Sequence, residues 1–262
     1  MNAPENIAAF FDLDGTLLRP PSLEWRFIGY LLEREQTSSA HVASWLARFA
    51  KTILRDPQQA IEGNKLYLAG ISESLVTDWE NSLARASSPE DSLALFDQGL
   101  QRIARHHAQG HHIFLITGTL APLAQMMARR ISAQVQAPIE PHATQLEASP
   151  WHSHSWPCSA TQWTGQLAGD HMSGQAKSRA VKTLAAIHNL DLAQSYAYGD
   201  STADLPMLES VAHPHAVNPS RHLASIAQQH NWPTFHWKEP APTISNSHAA
   251  QHGISSTKSA KI

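Results

Sequence analysis

Residues 7–16, Ile7-Ala8-Ala9-Phe10-Phe11-Asp12-Leu13-Asp14-Gly15-Thr16, decide how the rest of the chain is read. An apolar run of this length that stops at acidic and glycine residues suits a strand buried on both faces and opening into a loop. Two later stretches repeat the pattern. His112 to Ile116 runs into Thr117-Gly118-Thr119, and Ser195 to Tyr198 runs into Gly199-Asp200. A further short strand is expected near His215 to Val217. Helical periodicity lies between and after these strands, at about Ala121–Ile131, Gln175–Asn189, Ala203–Ser210 and Pro219–Gln229. Strands alternating with helices predict an α/β fold, a Rossmann-like parallel sheet with helices on both faces.

One region breaks the alternation. From Ser22 to about Gln109 only helical spacing is found, as in Trp25, Ile28, Leu31 and Leu32, or Val42, Trp45, Leu46 and Phe49. Further helices are expected at about Pro57–Ala69, Ser72–Ala86 and Pro89–His107. The expected organisation is therefore a core built from 1–20 and 110–238, with a helical cap, 21–109, inserted after the first strand. Residues 134–170 read as short strands and turns. From Pro240 onward Ser, Ala, Thr, Pro and His dominate, so 239–262 reads as a disordered tail.

The composition bounds the function classes. With 262 residues, 42% hydrophobic and 16% charged, the chain has the make-up of a globular protein with a substantial core. A net charge of −3 gives no field to recruit nucleic acid or an acidic membrane surface. The lone cysteine, Cys158, cannot form an internal disulfide and fits a reducing, cytoplasmic setting. No basic segment leads into a long apolar run, and none of the apolar runs is long enough for membrane insertion. Oligomeric state is left open. The 17 histidines invite a metal-site reading. However, His106, His107, His111 and His112 lack the i, i+4 spacing of helical ligands and are expected at a solvated helix end and turn.

In an open parallel sheet, reactive groups collect at the carboxyl ends of the strands. Asp12-Leu13-Asp14, Thr117-Gly118-Thr119 and Gly199-Asp200-Ser201-Thr202-Ala203-Asp204 all fall there, and Gly174-Gln175-Ala176-Lys177 opens a helix with a cation. Asp12 and Asp14 point to one side of an extended strand, to share a divalent cation or to divide nucleophile and acid/base roles. Mg²⁺ takes a few carboxylate oxygens with water and phosphate oxygens, a set that Asp12 and Asp200 suit. The Thr117 hydroxyl, with the backbone at Gly118 and the helix beyond, suits phosphate oxygens. Lys177 offsets the charge that builds when a carboxylate approaches a phosphate dianion. Taken singly, each has a plainer reading: Asp-Gly-Thr as a turn, Thr117–Thr119 as a helix cap, Lys177 as a solvated residue, Asp200 and Asp204 as caps. Their order after successive strands favours the chemical reading.

The runs FFDLDGTLL, FLITGT, GQAKSRAV and YAYGDSTADLPML resemble, in order, the four motifs of the haloacid dehalogenase superfamily. The resemblance covers about 7–237. The helical insertion after the first motif and AVNPS at 216–220 resemble its phosphoserine phosphatase-like branch. The resemblance implies a Mg²⁺-dependent phosphomonoesterase acting on a small phosphorylated metabolite. Asp12 would be the nucleophile, forming an aspartyl-phosphate, and Asp14 would protonate the leaving alkoxide and then activate water. The metal would be held by Asp12, the Asp14 carbonyl and Asp200, with Asp204 in support, and Thr117 and Lys177 would hold the phosphoryl oxygens. A phosphotransferase or phosphomutase would keep the same core, and so would a non-catalytic phosphate-ligand binding protein. Phosphoserine phosphatases place an acidic residue shortly after the first motif, where this chain has Pro20-Pro21-Ser22. Glu24, Arg26 and Arg55 are the nearby candidates for substrate contact, with Glu24 alternatively a solvated carboxylate at a helix start. Phosphoserine is accordingly not assigned, and histidinol phosphate, sugar phosphates and lipid-derived headgroups stay candidates. The aromatic residues Trp25, Phe27, Tyr30, Trp45 and Phe49 are expected inside the cap. The Trp- and His-rich loop 151–163 has no derived role.

Overall fold

The computed structural model describes residues 6–34, 65–85, 93–150 and 161–238. Its centre is a six-stranded sheet of β1 (Ala8–Phe11), β2 (His112–Leu120), β3 (Glu140–Thr144), β6 (Tyr196–Gly199), β7 (His213–Val217) and β8 (Thr234–Phe235). Every pairing in it is parallel, and the strand order is β3-β2-β1-β6-β7-β8. The chain builds outward from β1 in one direction and then returns to its other side, so the order reverses between β1 and β6. A crevice opens at such a switch point, beyond the carboxyl ends of the two strands.

β1 is buried along its whole length, as its uninterrupted apolar sequence requires. Ala9 and Phe11 join one core cluster, and Ala8 and Phe10 join another on the opposite face. The first face is covered by α3 (Asp97–Ala108) and α4 (Ala121–Val135), with Ile103, Leu123, Met126 and Met127 in the core. The second is covered by α5 (Gln175–His188), the short α6 (Leu205–Leu208) and α7 (Arg221–Gln229), through Val181, Leu184, Met207 and Leu223.

The segment after β1 supplies α1 (Leu23–Glu33), a 3₁₀ turn (Leu66–Leu68) and α2 (Ser74–Arg85). Ser22 caps α1 by accepting from the Trp25 N–H. Phe27 of α1 packs against Trp79 of α2 and Trp163 of β5 (Thr161–Leu167), with ring centroids 5.4 and 6.3 Å apart. β5 pairs antiparallel with β4 (Leu146–Pro150) and also bonds the 70–73 segment, through Gly70 N–H to Trp163 O at 2.9 Å and Trp163 N–H to Ile71 O at 3.0 Å. The cover over the carboxyl end of the sheet is thus shared between the insertion and this hairpin.

Several expectations are corrected. The insertion was read through to 109, but the chain rejoins the core earlier. Arg19 N–H bonds Ala94 O and Phe96 N–H bonds Leu17 O, and α3 then packs on the sheet, with Gly99 against Leu17 and Trp237. Helical periodicity alone does not say which layer a helix joins. α3 also begins later than Pro89, because 93–96 is extended beside the first loop. Trp25, expected inside the cap, is 60% exposed, whereas Phe27 and Tyr30 are buried as expected. His106, expected in solvent, is 4% exposed. Trp45, Phe49, Arg55 and the proposed tail at 239–262 lie outside the described residues. Among the described residues no helix is long and apolar enough to cross a membrane.

Candidate active site

The loop after β1 starts the site. Asp12 follows Phe11 directly, and its N–H is tied to Tyr198 O of β6 at 2.9 Å, so the switch point itself fixes its backbone. Gly15 has φ +88°, a left-handed conformation that costs glycine little. A side chain there would also collide with the Asp200 carboxylate. Glycine therefore lets the first loop approach the loop after β6.

That second loop is organised by Asp204. Its Oδ2 accepts from the backbone N–H groups of Asp200 and Ser201 at 3.1 and 3.0 Å and from the Ser201 hydroxyl at 3.1 Å. Its Oδ1 accepts from Lys177 Nζ at 2.5 Å. Lys177 lies in the first turn of α5, whose start is anchored by Gly174 N–H to Ala203 O at 2.9 Å. The ammonium, 3% exposed, also donates to Asp12 Oδ1 at 2.6 Å. Lys177 has three donors, so one remains for a ligand oxygen.

Carboxylate oxygens of Asp12, Asp200 and Asp204 lie within 4.8 Å of one another. Three carboxylates share one ammonium. Burial, then Asp12 and Asp204, push Asp200 up to about 8. Burial likewise pushes Asp12 up to about 7, against the pull of Lys177 and with added repulsion from Asp204 and Asp14. Burial alone would lower Lys177, but Asp12 and Asp204 outweigh it and hold the amine protonated. The lysine therefore stays charged, and the three carboxyl groups exceed what it alone can neutralise, so Asp12 and Asp200 hold protons more tightly than usual. A divalent cation suits that excess, and hard carboxylate oxygens are the donors Mg²⁺ prefers. Asp12 and Asp200 have oxygens to offer it, whereas both oxygens of Asp204 are already committed within the protein.

Asp14 points differently. Its Oδ1 accepts from the Leu23 N–H at 2.7 Å, at the start of α1, and its Oδ2 accepts from the Thr119 hydroxyl at 2.6 Å. The side chain links the first loop, the covering helix and β2. Thr117 and Thr119 stand where the β2–β3 register shifts, and Thr144 Oγ1 bonds Gly118 O at 2.7 Å across the irregularity. Such bulges re-aim side chains beside a site. Thr117 Oγ1 accepts from the Thr119 N–H at 3.2 Å, which leaves its own hydroxyl proton to donate.

The structure thus brings together Asp12, Asp14, Thr117, Lys177, Asp200 and Asp204. Glu24 is not solvated: both its oxygens accept from Lys65 Nζ, at 2.6 and 2.7 Å, in a largely buried pair. Burial raises its carboxyl, Lys65 opposes this, and Asp14 adds to it. Arg26 is spent on the backbone, donating to the carbonyls of Arg19, Pro20 and Pro21. Three residues at the site went unassigned in the sequence: Thr119, Lys65 and His171, whose ring lies against Gly118. Thr119 had a local signal, since it sits two residues from Thr117 on a strand and so shares its face. Lys65 and His171 had none.

The chain is similar to known proteins along most of its length. Phosphoserine phosphatase SerB1 of Mycobacterium tuberculosis is 28% identical over 231 residues, covering 86% of this chain and 69% of that protein. A solved protein of unknown function from Bordetella pertussis Tohama I is 25% identical with a TM-score of 0.67, covering 89% of this chain and all of the other. A phospho-aspartyl intermediate analogue of phosphoserine phosphatase shares the fold, with a TM-score of 0.54 at 14% identity over 89% of this chain and 94% of that one. The family model of haloacid dehalogenase-like hydrolases matches residues 9–209, from β1 through the loop after β6, and the chain belongs to that family.

Proposed function

We propose that this protein is a Mg²⁺-dependent phosphomonoesterase of the cytoplasm that hydrolyses a small phosphorylated metabolite through an aspartyl-phosphate on Asp12. The observation that carries this is the clustering of Asp12, Asp200 and Asp204, two of them bound to Lys177, with Asp14 held separately by Thr119. One set of groups gathers charge for a phosphate, while the other is free to move a proton. The names of the relatives, phosphoserine phosphatase among them, support the class of reaction.

In this reading the phosphoryl group lies between Asp12 and the leaving alcohol. Lys177, the Thr117 hydroxyl and the backbone beyond Gly118 bind its oxygens; Asp12, the Asp14 carbonyl and Asp200 would hold Mg²⁺, which would supply charge neutralisation there. An Asp12 oxygen attacks phosphorus, the bond to the ester oxygen breaks, and Asp14 gives that oxygen a proton. Water then attacks the aspartyl-phosphate, Asp14 takes its proton, and inorganic phosphate leaves with the Asp12 carboxylate restored. The Thr119 hydroxyl, both donor and acceptor, accompanies Asp14 through either protonation state.

Asp12→Asn should lower hydrolysis of p-nitrophenyl phosphate with Mg²⁺ by at least about 10⁴-fold. Because it removes one of three crowded carboxylates, its thermal midpoint should equal or exceed that of the parent. Retained turnover in the variant would remove Asp12 as nucleophile, and a phosphoryl group passed to an added alcohol in preference to water would favour a transferase.

A further inference from the structure

Three elements meet beside the catalytic loops without a role in the phosphoryl chemistry. Glu24 follows Leu23, whose N–H is bound to Asp14, so it stands next to the proton-transfer group. Lys65 is bound by both Glu24 oxygens, and its carbonyl packs against Gly165 of β5. β5 leads into the loop that carries His171, whose Cε1 would lie 3.1 Å from a Cβ on Gly118, the residue between Thr117 and Thr119 in the chain. The bond from Cε1 leads to Nδ1, which is buried and has no hydrogen-bond partner.

A buried ring nitrogen without a partner costs stability unless something supplies the missing bond. Elsewhere in this molecule a buried histidine is satisfied by protein groups, as His106 is by Tyr198 and His111. We propose that His171 reads the alcohol part of the substrate, its Nδ1 accepting a hydrogen bond from a donor, hydroxyl or ammonium, on the leaving group. The inference rests on the phosphatase reading and narrows it to donor-bearing phosphomonoesters.

The surroundings select for that chemistry. Burial, then the charges of Lys65 and Lys177, push His171 down to about 4, so the ring is neutral at pH 7 with a lone pair to offer. Of the two cations that act on this ring, Lys177 is held by Asp12 and Asp204, and Lys65 is occupied by both oxygens of Glu24. A second anion on the leaving group would find that ammonium engaged, and Glu24 and Asp14 close by. A donor meets acceptors instead.

The test measures binding, so that it does not depend on turnover. In the Asp12→Asn background with Mg²⁺, calorimetry compares propyl phosphate, glycerol 1-phosphate, 2-aminoethyl phosphate and phosphoglycolate. At least one of the two donor-bearing esters should bind about tenfold more tightly than propyl phosphate, and phosphoglycolate more weakly than that ester. His171→Phe keeps a ring over Gly118 and should erase the preference, as should His171→Ala, while His171→Asn keeps a polar atom and should restore most of it. Glu24→Gln sorts the two donors, since it weakens an ammonium more than a hydroxyl. An unchanged preference in both His171→Phe and His171→Ala overturns the proposal, as does tighter binding of phosphoglycolate. Selective binding by a protein whose parent form hydrolyses none of these esters would instead remove the phosphatase reading and leave His171 as a ligand-reading residue.

Discussion

Strand β6 carries two buried polar clusters within a few residues of each other, and they solve the same problem in opposite ways. Tyr196 and Tyr198 face α3, where Tyr198 Oη meets His106 Nε2 at 2.7 Å and His106 Nδ1 meets His111 Nδ1 at 2.9 Å. Phe11, Tyr198, His215 and Phe235 stack in line across β1, β6, β7 and β8, with centroids 4.4, 4.7 and 5.4 Å apart. The buried imidazoles there are held neutral beside the Arg102 guanidinium, which lies 4.8 Å over the Phe235 ring. Burial, then the nearby His111, Arg102 and His215, push His106 down to about 3, and burial pushes His215 down to about 4. Just beyond Gly199, Asp200 joins two other carboxyl groups around one ammonium, and burial and mutual repulsion push Asp12 and Asp200 up to about 7 and 8. The first cluster has no buried acid to neutralise, whereas the second holds more acids than its one ammonium can offset, an imbalance that a bound cation would relieve. Charge imbalance, more than burial, separates chemistry from scaffold in this molecule.

The sharpest way to break that contrast is to remove the single cation. Lys177→Met leaves Asp12, Asp200 and Asp204 buried together, and should cost about 3–5 kcal/mol of stability at pH 8 in chemical denaturation without metal. The loss should shrink as pH is lowered and the carboxylates neutralise. A variant as stable as the parent at pH 8 would mean that the three charges do not repel in the folded state.

The ring cluster should respond more weakly and without reference to metal. His106→Leu leaves the Tyr198 hydroxyl without its partner, at a cost of about 1–3 kcal/mol. Tyr198→Phe strands the imidazole in the same way. Combined, the two changes should cost clearly less than their sum, because no polar atom of the pair is then left buried alone. Strict additivity in the double-mutant cycle would show that the hydrogen bond does not matter and that shape alone holds these rings.

How much of this was legible beforehand follows from how local each signal is. Asp12, Asp14 and Gly15 form one strand-to-loop transition, so their meaning is contained in a few consecutive residues. Lys177 at a helix start and Asp200 at a strand end are similarly marked by the elements that carry them. His107 and His112 are exposed, as a solvated helix end and turn would have them, whereas His106 falls on one helix face with Gly99 and Ile103. Those residues lie at i, i+4 and i+7 and form the buried face of α3. Lys65 and His171 belong to no pattern. They acquire a role only when β5 is laid against the Lys65 turn and the loop beyond it reaches Gly118, contacts far apart in sequence. The two-residue strand β8 is too short to show alternation at all.

The last prediction sets the two clusters against each other on a single axis, pH, in protein freed of divalent cations. His106 has a folded value of about 3 against an ordinary 6.5. The unfolded chain therefore takes up a proton below pH 6.5 that the folded one refuses, and this contribution to stability is present above 6.5 and lost as pH falls from 6.5 towards 3. Asp12 and Asp200 have folded values of about 7 and 8 against an ordinary 3.8. Here the folded chain holds protons more tightly, so the contribution is present below 3.8 and lost as pH rises through 7 to 8. Each limb is limited to about 1.4 kcal/mol per pH unit per group. Between 6.5 and about 4 the three lowered imidazoles, His106, His171 and His215, outweigh the two aspartates, and above 6.5 the aspartates act alone, so thermal midpoints measured with EDTA should decline on both the acid and the alkaline side. Asp200→Asn should flatten only the alkaline decline, and the His106→Leu, Tyr198→Phe double variant only the acid one. If either substitution moved both limbs together, the clusters would be one coupled network, and the division of β6 into a neutral scaffold and a charged site would be wrong.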